Sequence, residues 1–107
     1  MKTITSLRAQ ATKERLKADS LRKEAEKYRN KAQDNMQDPQ VSQHASEDAQ
    51  RYDEQAAQHD QAATSFETEA TNLEAQALEL NRQKVELQST TQSEIDKLDQ
   101  QEKAVRG

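Results

Sequence analysis

Residues 4–35, ITSLRAQATKERLKADSLRKEAEKYRNKAQDN, and residues 46–80, SEDAQRYDEQAAQHDQAATSFETEATNLEAQALEL, share a seven-residue pattern. In both stretches alanine dominates one apolar position (a), and mostly larger residues occupy the position three further on (d). The a positions are Ile4, Ala11, Ala18, Ala25 and Ala32, then Ala49, Ala56, Ala63, Ala70 and Ala77; the d positions are Leu7, Glu14, Leu21, Tyr28 and Asn35, then Tyr52, His59, Phe66, Leu73 and Leu80. Each stretch keeps the pattern for five heptads, which is more than the roughly three or four heptads that indicate a coiled coil.

Composition fits long helices and leaves too little apolar material for a large globular core. The chain of 107 residues has 15 Ala and 15 Gln but one Gly and one Pro. Its 8 Leu, 2 Ile, 3 Val and 1 Phe supply few core side chains for one domain. The net charge of −4 is smaller than a disordered chain of this apolar content normally carries. We therefore predict an all-α protein, an antiparallel coiled-coil hairpin with an alanine-rich seam.

Proline locates the turn between the two helices. Asp38-Pro39 contains the one Pro of the chain, and proline does not continue a helix. We predict a single helical domain spanning residues 1–107, with helix 1 at about 3–36, a turn at about 37–45, helix 2 at about 46–88 and a C-terminal helical extension at about 92–105. In this scheme Ser46 is the N-cap of helix 2. The alternative start, with Asp38 as N-cap and Pro39 as first helical residue, gives a tighter turn.

Charged residues at position e predict which residues of the two helices face each other. The basic series is followed by an acidic series at the same interval: Arg8, Arg15, Arg22 and Arg29, then Asp53, Asp60, Glu67 and Glu74. Packing allows two registers, in which the numbers of facing a and d residues sum to 84 or to 77. The 84 register places each arginine beside one acid: Arg8–Glu74, Arg15–Glu67, Arg22–Asp60 and Arg29–Asp53. We favour it on this basis, and the register stays open between the two.

Polar residues interrupt the d positions. His59 is interpreted as a polar residue at the edge of a narrow seam, in preference to a pH-sensitive group or a metal ligand helped by Glu14. Glu14 and Asn35 either specify the register or lie at the rim of the seam with their polar ends in water. The Glu-x-x-His motif of di-iron bundles is missing, because Ala56 stands three residues before His59. We predict no metal site, no cofactor and no catalytic residue.

The apolar pattern changes after Leu80, where helix 1 has no residues left to cover helix 2. Either helix 2 continues through a stutter at Ser89–Ser93, or a short third helix begins near Gln92. We predict that the uncovered apolar residues form an interaction surface, because exposed apolar stretches usually mark interfaces. Its members are Leu78, Leu80, Val85, Leu87, Ile95, Leu98 and Val105. Self-association into a dimer or tetramer is the preferred use, and a different protein partner or a fold-back of the C-terminal segment are the alternatives.

Other function classes receive less support from the composition. Residues 1–36 are basic, but their e-position arginines have predicted acidic partners and the remaining basic residues are interspersed with acids, which disfavours nucleic-acid binding. There is no Cys for a disulfide or a thiolate site, and no apolar run of roughly 18 residues for a membrane span. We expect a cytoplasmic, non-enzymatic structural or interaction module, with leaderless export left open. The runner-up is a conditionally disordered, hydrophilic stress-protective protein.

Overall fold

The fold is all-α. A computed structural model describes residues 2–87 and 92–107. Across those residues the chain forms three helices and no strand: α1 at Ile4–Asp34, α2 at Pro39–Glu86 and α3 at Gln92–Arg106. Packing divides the chain into a turn unit, Thr12–Ala63, and a terminal unit, Met1–Ala11 with Thr64–Gly107. The all-α helical hairpin predicted from the heptads is confirmed, and the supercoiled geometry of a coiled coil stays a prediction.

Helix α1 begins at a reciprocal cap. The Thr3 amide donates to Ser6 Oγ (3.0 Å), and the Ser6 amide donates to Thr3 Oγ1 (3.1 Å). This exchange satisfies amides at the start of a helix that have no intrahelical acceptor, as a capping box does. At the other end the Lys31 carbonyl accepts from both the Asn35 backbone amide (3.1 Å) and Asn35 Nδ2 (2.7 Å), so Asn35 adds a second hydrogen bond where the helix stops.

Helix α2 begins at Pro39, seven residues before the predicted start at Ser46. Asp38 is its N-cap: the Val41 amide donates to Asp38 Oδ1 (3.3 Å) and the Ser42 amide donates to the Asp38 carbonyl (3.0 Å). Proline suits the first helical position because its missing N–H would have no intrahelical acceptor there. The predicted turn at 37–45 is therefore wrong, and the connection shrinks to residues 35–38.

The core of the turn unit is a seam of alanines. Ala18, Ala25, Ala56 and Ala63 are fully buried, and Ala45 near the turn is 2% exposed. Small side chains at the contact let two helix axes approach at the short end of the usual range of about 8–10 Å. Larger residues lie at the edges of this seam, where Tyr28 and Tyr52 stack with ring centroids 5.4 Å apart. The seam thus gains its stability from close approach more than from large buried area.

Two contacts in the turn unit establish the 77 register. Nδ1 of His59 lies 2.5 Å from Oε2 of Glu14, and Ser42 Oγ donates to the Ala32 carbonyl (3.0 Å). In the 84 register Glu14 and His59 would be offset by 11 residues, or about 16 Å along the axis at 1.5 Å per residue. Their side chains and the bond together reach only about 11 Å. In the 77 register the offset is about 6 Å, so the preference for 84 was wrong.

The terminal unit has a mixed aliphatic core to which all three helices contribute. Leu7 is the largest side chain that is completely buried among the described residues, and it packs with Ile4, Ala70, Ala77 and Val105. Phe66 and Leu73 lie against this cluster, partly buried. Val105 comes from α3, so the C-terminal helix is part of the core. In one continuous straight helix Val105 would lie about 42 Å from Ala77; the third-helix alternative with a fold-back is therefore the one the structure adopts.

Candidate interaction surfaces

A flank of ion pairs runs beside the seam in each unit. In the turn unit Arg22 contacts Asp60, and Arg29 Nη1 lies 2.6 Å from Asp53 Oδ2. Arg15 Nη1 also approaches Asp60, at 3.6 Å, so this one carboxylate faces two arginines. Asp60 accepts a hydrogen bond from Arg22, and this bond raises the pKa of Arg22 above its ordinary value. The charges thus favour an antiparallel arrangement of α1 and α2 within this unit.

The terminal unit has ion pairs of its own. Arg8 Nη2 lies 2.5 Å from Glu74 Oε2, and Lys2 Nζ lies 3.3 Å from Glu69 Oε2. Three of the pairs assigned from the sequence, Arg8–Glu74, Arg22–Asp60 and Arg29–Asp53, are therefore brought together. The fourth assigned pair, Arg15–Glu67, stays a prediction. All these side chains are substantially exposed, so each pair contributes little free energy and mainly specifies the arrangement of the helices.

Glu14 and His59 form a polar contact within the alanine seam. Both are at d positions, and their side chains are 19% and 35% exposed. The hydrogen bond from His59 holds the pKa of Glu14 below its ordinary value, and Lys17 Nζ, 3.6 Å from Oε1, acts in the same direction. An ionised Glu14 accepts from Nδ1 of His59, which satisfies both groups beside an apolar seam. Sequence analysis placed Glu14 as a distant helper of His59, whereas the two are in direct contact.

Helix α3 is held to α2 by ion pairs of Lys84, a partly buried lysine of α2. Lys84 Nζ lies 2.5 Å from Asp99 Oδ1 and 3.5 Å from Glu102 Oε1, and the Lys84 side chain is only 25% exposed. The hydrogen bond to Asp99 raises the pKa of Lys84. The end of α3 also meets α1, where Thr5 Oγ1 donates to the Arg106 carbonyl (3.0 Å). Lys84 occupies an a position. A lysine at a normally apolar position was a sequence signal, not used above, that an acidic helix packs beside it.

Glycine 107 closes α3 against the start of α1. Its φ of +84° lies in the left-handed region, and its amide donates to the Lys103 carbonyl (3.0 Å), as in a helix C-cap. A Cβ at this position would lie 2.7 Å from Thr3 Oγ1. The single glycine of the chain therefore stands where both conformation and space require it.

The fold-back removes part of the predicted apolar interaction surface. Val105 is 8% exposed and belongs to the core, so its assignment to an exposed surface was wrong. Leu80, Leu87, Ile95 and Leu98 are half-buried. Leu78 and Val85 remain open to solvent, at 58% and 52% exposure. The seven-residue set thus divides into five residues that are partly or fully buried and two that are open to solvent.

The outward face of α2 in the terminal unit carries a line of mostly small and aliphatic residues. Positions spaced alternately three and four apart lie on one side of a helix. We call this set the outer stripe, and its members, all exposed, are Thr64, Thr68, Thr71, Ala75, Leu78, Arg82 and Val85. Arg82 is its one charged residue, and it contacts both Glu79 and Glu86 within α2. The Arg82 hydrogen bond lowers the pKa of Glu79. Sequence analysis named Leu78 and Val85 of this set but not its other members.

Within residues 2–87 and 92–107, no helix is both long enough and apolar enough to cross a membrane. The same residues hold no group of three or more His, Asp or Glu side chains arranged to bind a metal ion.

Comparisons with known proteins return no relative of this chain. Neither a protein-family model nor a curated protein nor a solved structure matches its sequence.

Proposed function

We propose that this chain is a non-enzymatic protein-interaction module that associates with copies of itself, in the class of adaptors, assembly factors and chaperone-like proteins. The observation that carries the proposal is the exposure of Leu78 and Val85, one heptad apart on the same side of α2. Covering water-exposed aliphatic side chains with a partner lowers the free energy, which favours association. A cytoplasmic location belongs to the same proposal, as does a different protein partner on the terminal unit.

Sedimentation of the full-length chain tests the proposal. We expect the weight-average mass to rise with concentration from 12.2 kDa toward a small multiple of that value. The melting temperature should rise with protein concentration as well, because association stabilises the folded chain by mass action. A mass that stays at the monomer value up to millimolar concentration, with no change in melting temperature, contradicts self-association.

A second candidate function is conditional folding in a hydrophilic stress-protective protein. The observation that favours it is the thin core, since most buried residues are alanines and Leu7 is the one large side chain with no exposure among those described. Little apolar area is then available to offset the loss of conformational entropy on folding. Circular dichroism separates the two functions: an interaction module melts cooperatively in dilute buffer, whereas a protective chain gains helicity only on drying or crowding.

A further inference from the structure

The two tyrosines of the chain are held together at the edge of the alanine seam. Their numbers sum to 80, so in the 77 register Tyr28 and Tyr52 are offset by three residues, or about 4.5 Å along the axis. Each side chain leans toward the N-terminus of its own helix, and in this antiparallel pair the two leanings bring the rings to one level. The next residue on each helix, Arg29 and Asp53, forms an ion pair of 2.6 Å that holds the two helices in this alignment.

The two rings are close enough to react with each other. Their centroids lie 5.4 Å apart and their planes are inclined by only 15°. Stacked planes are separated by about 3.5–4.0 Å, so one ring is displaced sideways by about 4 Å and the ring edges overlap. The phenol groups take part in this contact, because the charge of Tyr28 is the main cause that raises the pKa of Tyr52, followed by burial and by a hydrogen bond from Tyr28. The ring carbons beside the two phenol oxygens are therefore neighbours.

The tyrosine pair is open to small reagents. Both rings are half-buried, and they border a groove whose other lining residues are Asp48, Arg51 and Gln55. A small oxidant and a water molecule that accepts a proton can both reach the pair through this groove. The chain has no Cys that would quench a tyrosyl radical and no Trp that would compete for one-electron oxidation.

We propose that Tyr28 and Tyr52 are an oxidative modification site, at which one-electron oxidation joins the two rings as a dityrosine within one chain. The oxidant is hydrogen peroxide acting through a haem peroxidase. Each phenol loses one electron and one proton, which leaves a radical shared between its oxygen and the ring carbons beside that oxygen. The two radicals form one carbon–carbon bond between Cε atoms, and the hydrogen on each bonded carbon moves to the phenol oxygen of its ring. The peroxide takes up the two electrons and two protons and leaves as two molecules of water.

The cross-link ties α1 to α2 and closes a loop around residues 29–51. A covalent link across a loop of this length restricts the unfolded chain and so favours the folded one. We expect the melting temperature of the cross-linked chain to lie about 10 °C or more above that of the untreated chain. The site lies wholly within the turn unit, and it does not depend on the proposed self-association.

Peroxidase treatment of the full-length chain tests the site. The chain, at about 10 μM, is treated with a haem peroxidase and hydrogen peroxide, and the monomer is separated from cross-linked dimers on a denaturing gel. A ring held beside its partner has an effective concentration of about 1 mM or more, so coupling within a chain should exceed coupling between chains by about 100-fold. The monomer should show dityrosine fluorescence and a mass lowered by two hydrogens. Trypsin should then release peptide 28–29 joined to peptide 52–82, because basic residues bound both peptides.

A matched control moves one tyrosine without changing their number. The double variant Tyr28→Phe with Leu16→Tyr keeps two tyrosines but places one at an exposed position of α1, offset from Tyr52 by nine residues or about 14 Å in the 77 register. We expect it to form cross-linked dimers only, in an amount that rises with protein concentration. Tyr28→Phe alone should form no cross-link within the chain, and wild type oxidised in urea should lose most of its own.

The outcomes decide the inference separately from the proposed function. A linked peptide in the wild-type monomer, with a yield unchanged by dilution and absent from the double variant, is the predicted result. No linked peptide in the monomer, or equal yields from wild type and the double variant, overturns the modification site. A cross-linked monomer that melts at the temperature of the untreated chain overturns the stabilising effect. Sedimentation of the untreated chain is independent of all these results, so self-association stands or fails by itself.

Discussion

Replacing Leu7 by alanine tests whether the terminal unit holds a real core. Leu7 has no exposed surface and packs against residues from α2 and α3, including Ala77 and Val105. Leucine-to-alanine substitutions at such sites cost about 2–5 kcal/mol, from lost transfer free energy and from the cavity left behind. A chain of this size is typically stable by about 5–15 kcal/mol. We therefore expect Leu7→Ala to lose roughly a quarter or more of the free energy of unfolding, which lowers the melting temperature by about 10–20 °C.

Leu16→Ala is the matched control, because Leu16 lies on the same helix with 62% of its surface exposed. Exposed substitutions of this kind change stability by about 0.5 kcal/mol or less. Urea denaturation followed by circular dichroism, at a fixed low concentration, gives both values. If the two variants unfold at the same urea concentration, Leu7 is not buried and the three-helix core is wrong.

Three further predictions concern polar groups and the helix end. Because its pKa is lowered in the folded chain, Glu14 contributes stability above its ordinary pKa of 4.5 and loses it as the pH falls through the lowered value; Glu14→Gln should melt below the wild type at pH 7, and the gap should narrow as the pH falls below 4.5. Gly107→Ala should destabilise the docking of α3 by about 1 kcal/mol or more, since alanine is strained at positive φ; faster amide exchange in α3 would report it. Arg29→Asp should lower the melting temperature by facing Asp53, and adding Asp53→Arg should restore part of it, with a double-mutant cycle measuring the coupling.

The sequence predicted the helical hairpin because the heptad pattern depends on local spacing. It mispredicted the register for a geometric reason. Side chains of a helix tend to lean toward its N-terminus, so in an antiparallel pair two long side chains on the flank can meet although their backbone positions are offset. Arg22 leans along α1 toward the level of Asp60, and Asp60 leans along α2 in the opposite direction. Their residue numbers sum to 82 although the seam around them follows the 77 register.

The start of α2 and the position of α3 were not predicted for two different reasons, a local cap and long-range contacts. A proline at the first turn of a helix and a proline that ends a helix look alike in a sequence, and the Asp38 cap decides between them. The fold-back of α3 depends on contacts between residues far apart in the chain, such as Val105 with Leu7. Heptad spacing does not report such contacts, although Lys84 at an a position together with Asp99 and Glu102 in α3 was a usable signal.

One distance tests most directly that α3 folds back onto α2 within a single molecule. Asn72 and Lys103 are both exposed, and each can be changed to cysteine and spin-labelled in a chain that has no other cysteine. In the folded-back arrangement the two positions are offset by about 12 Å along the axis and by one helix spacing across it, which gives about 15–20 Å. Measured with excess unlabelled chain, a distance in this range is the predicted result, whereas a distance near the ~46 Å of a continuous helix contradicts the account.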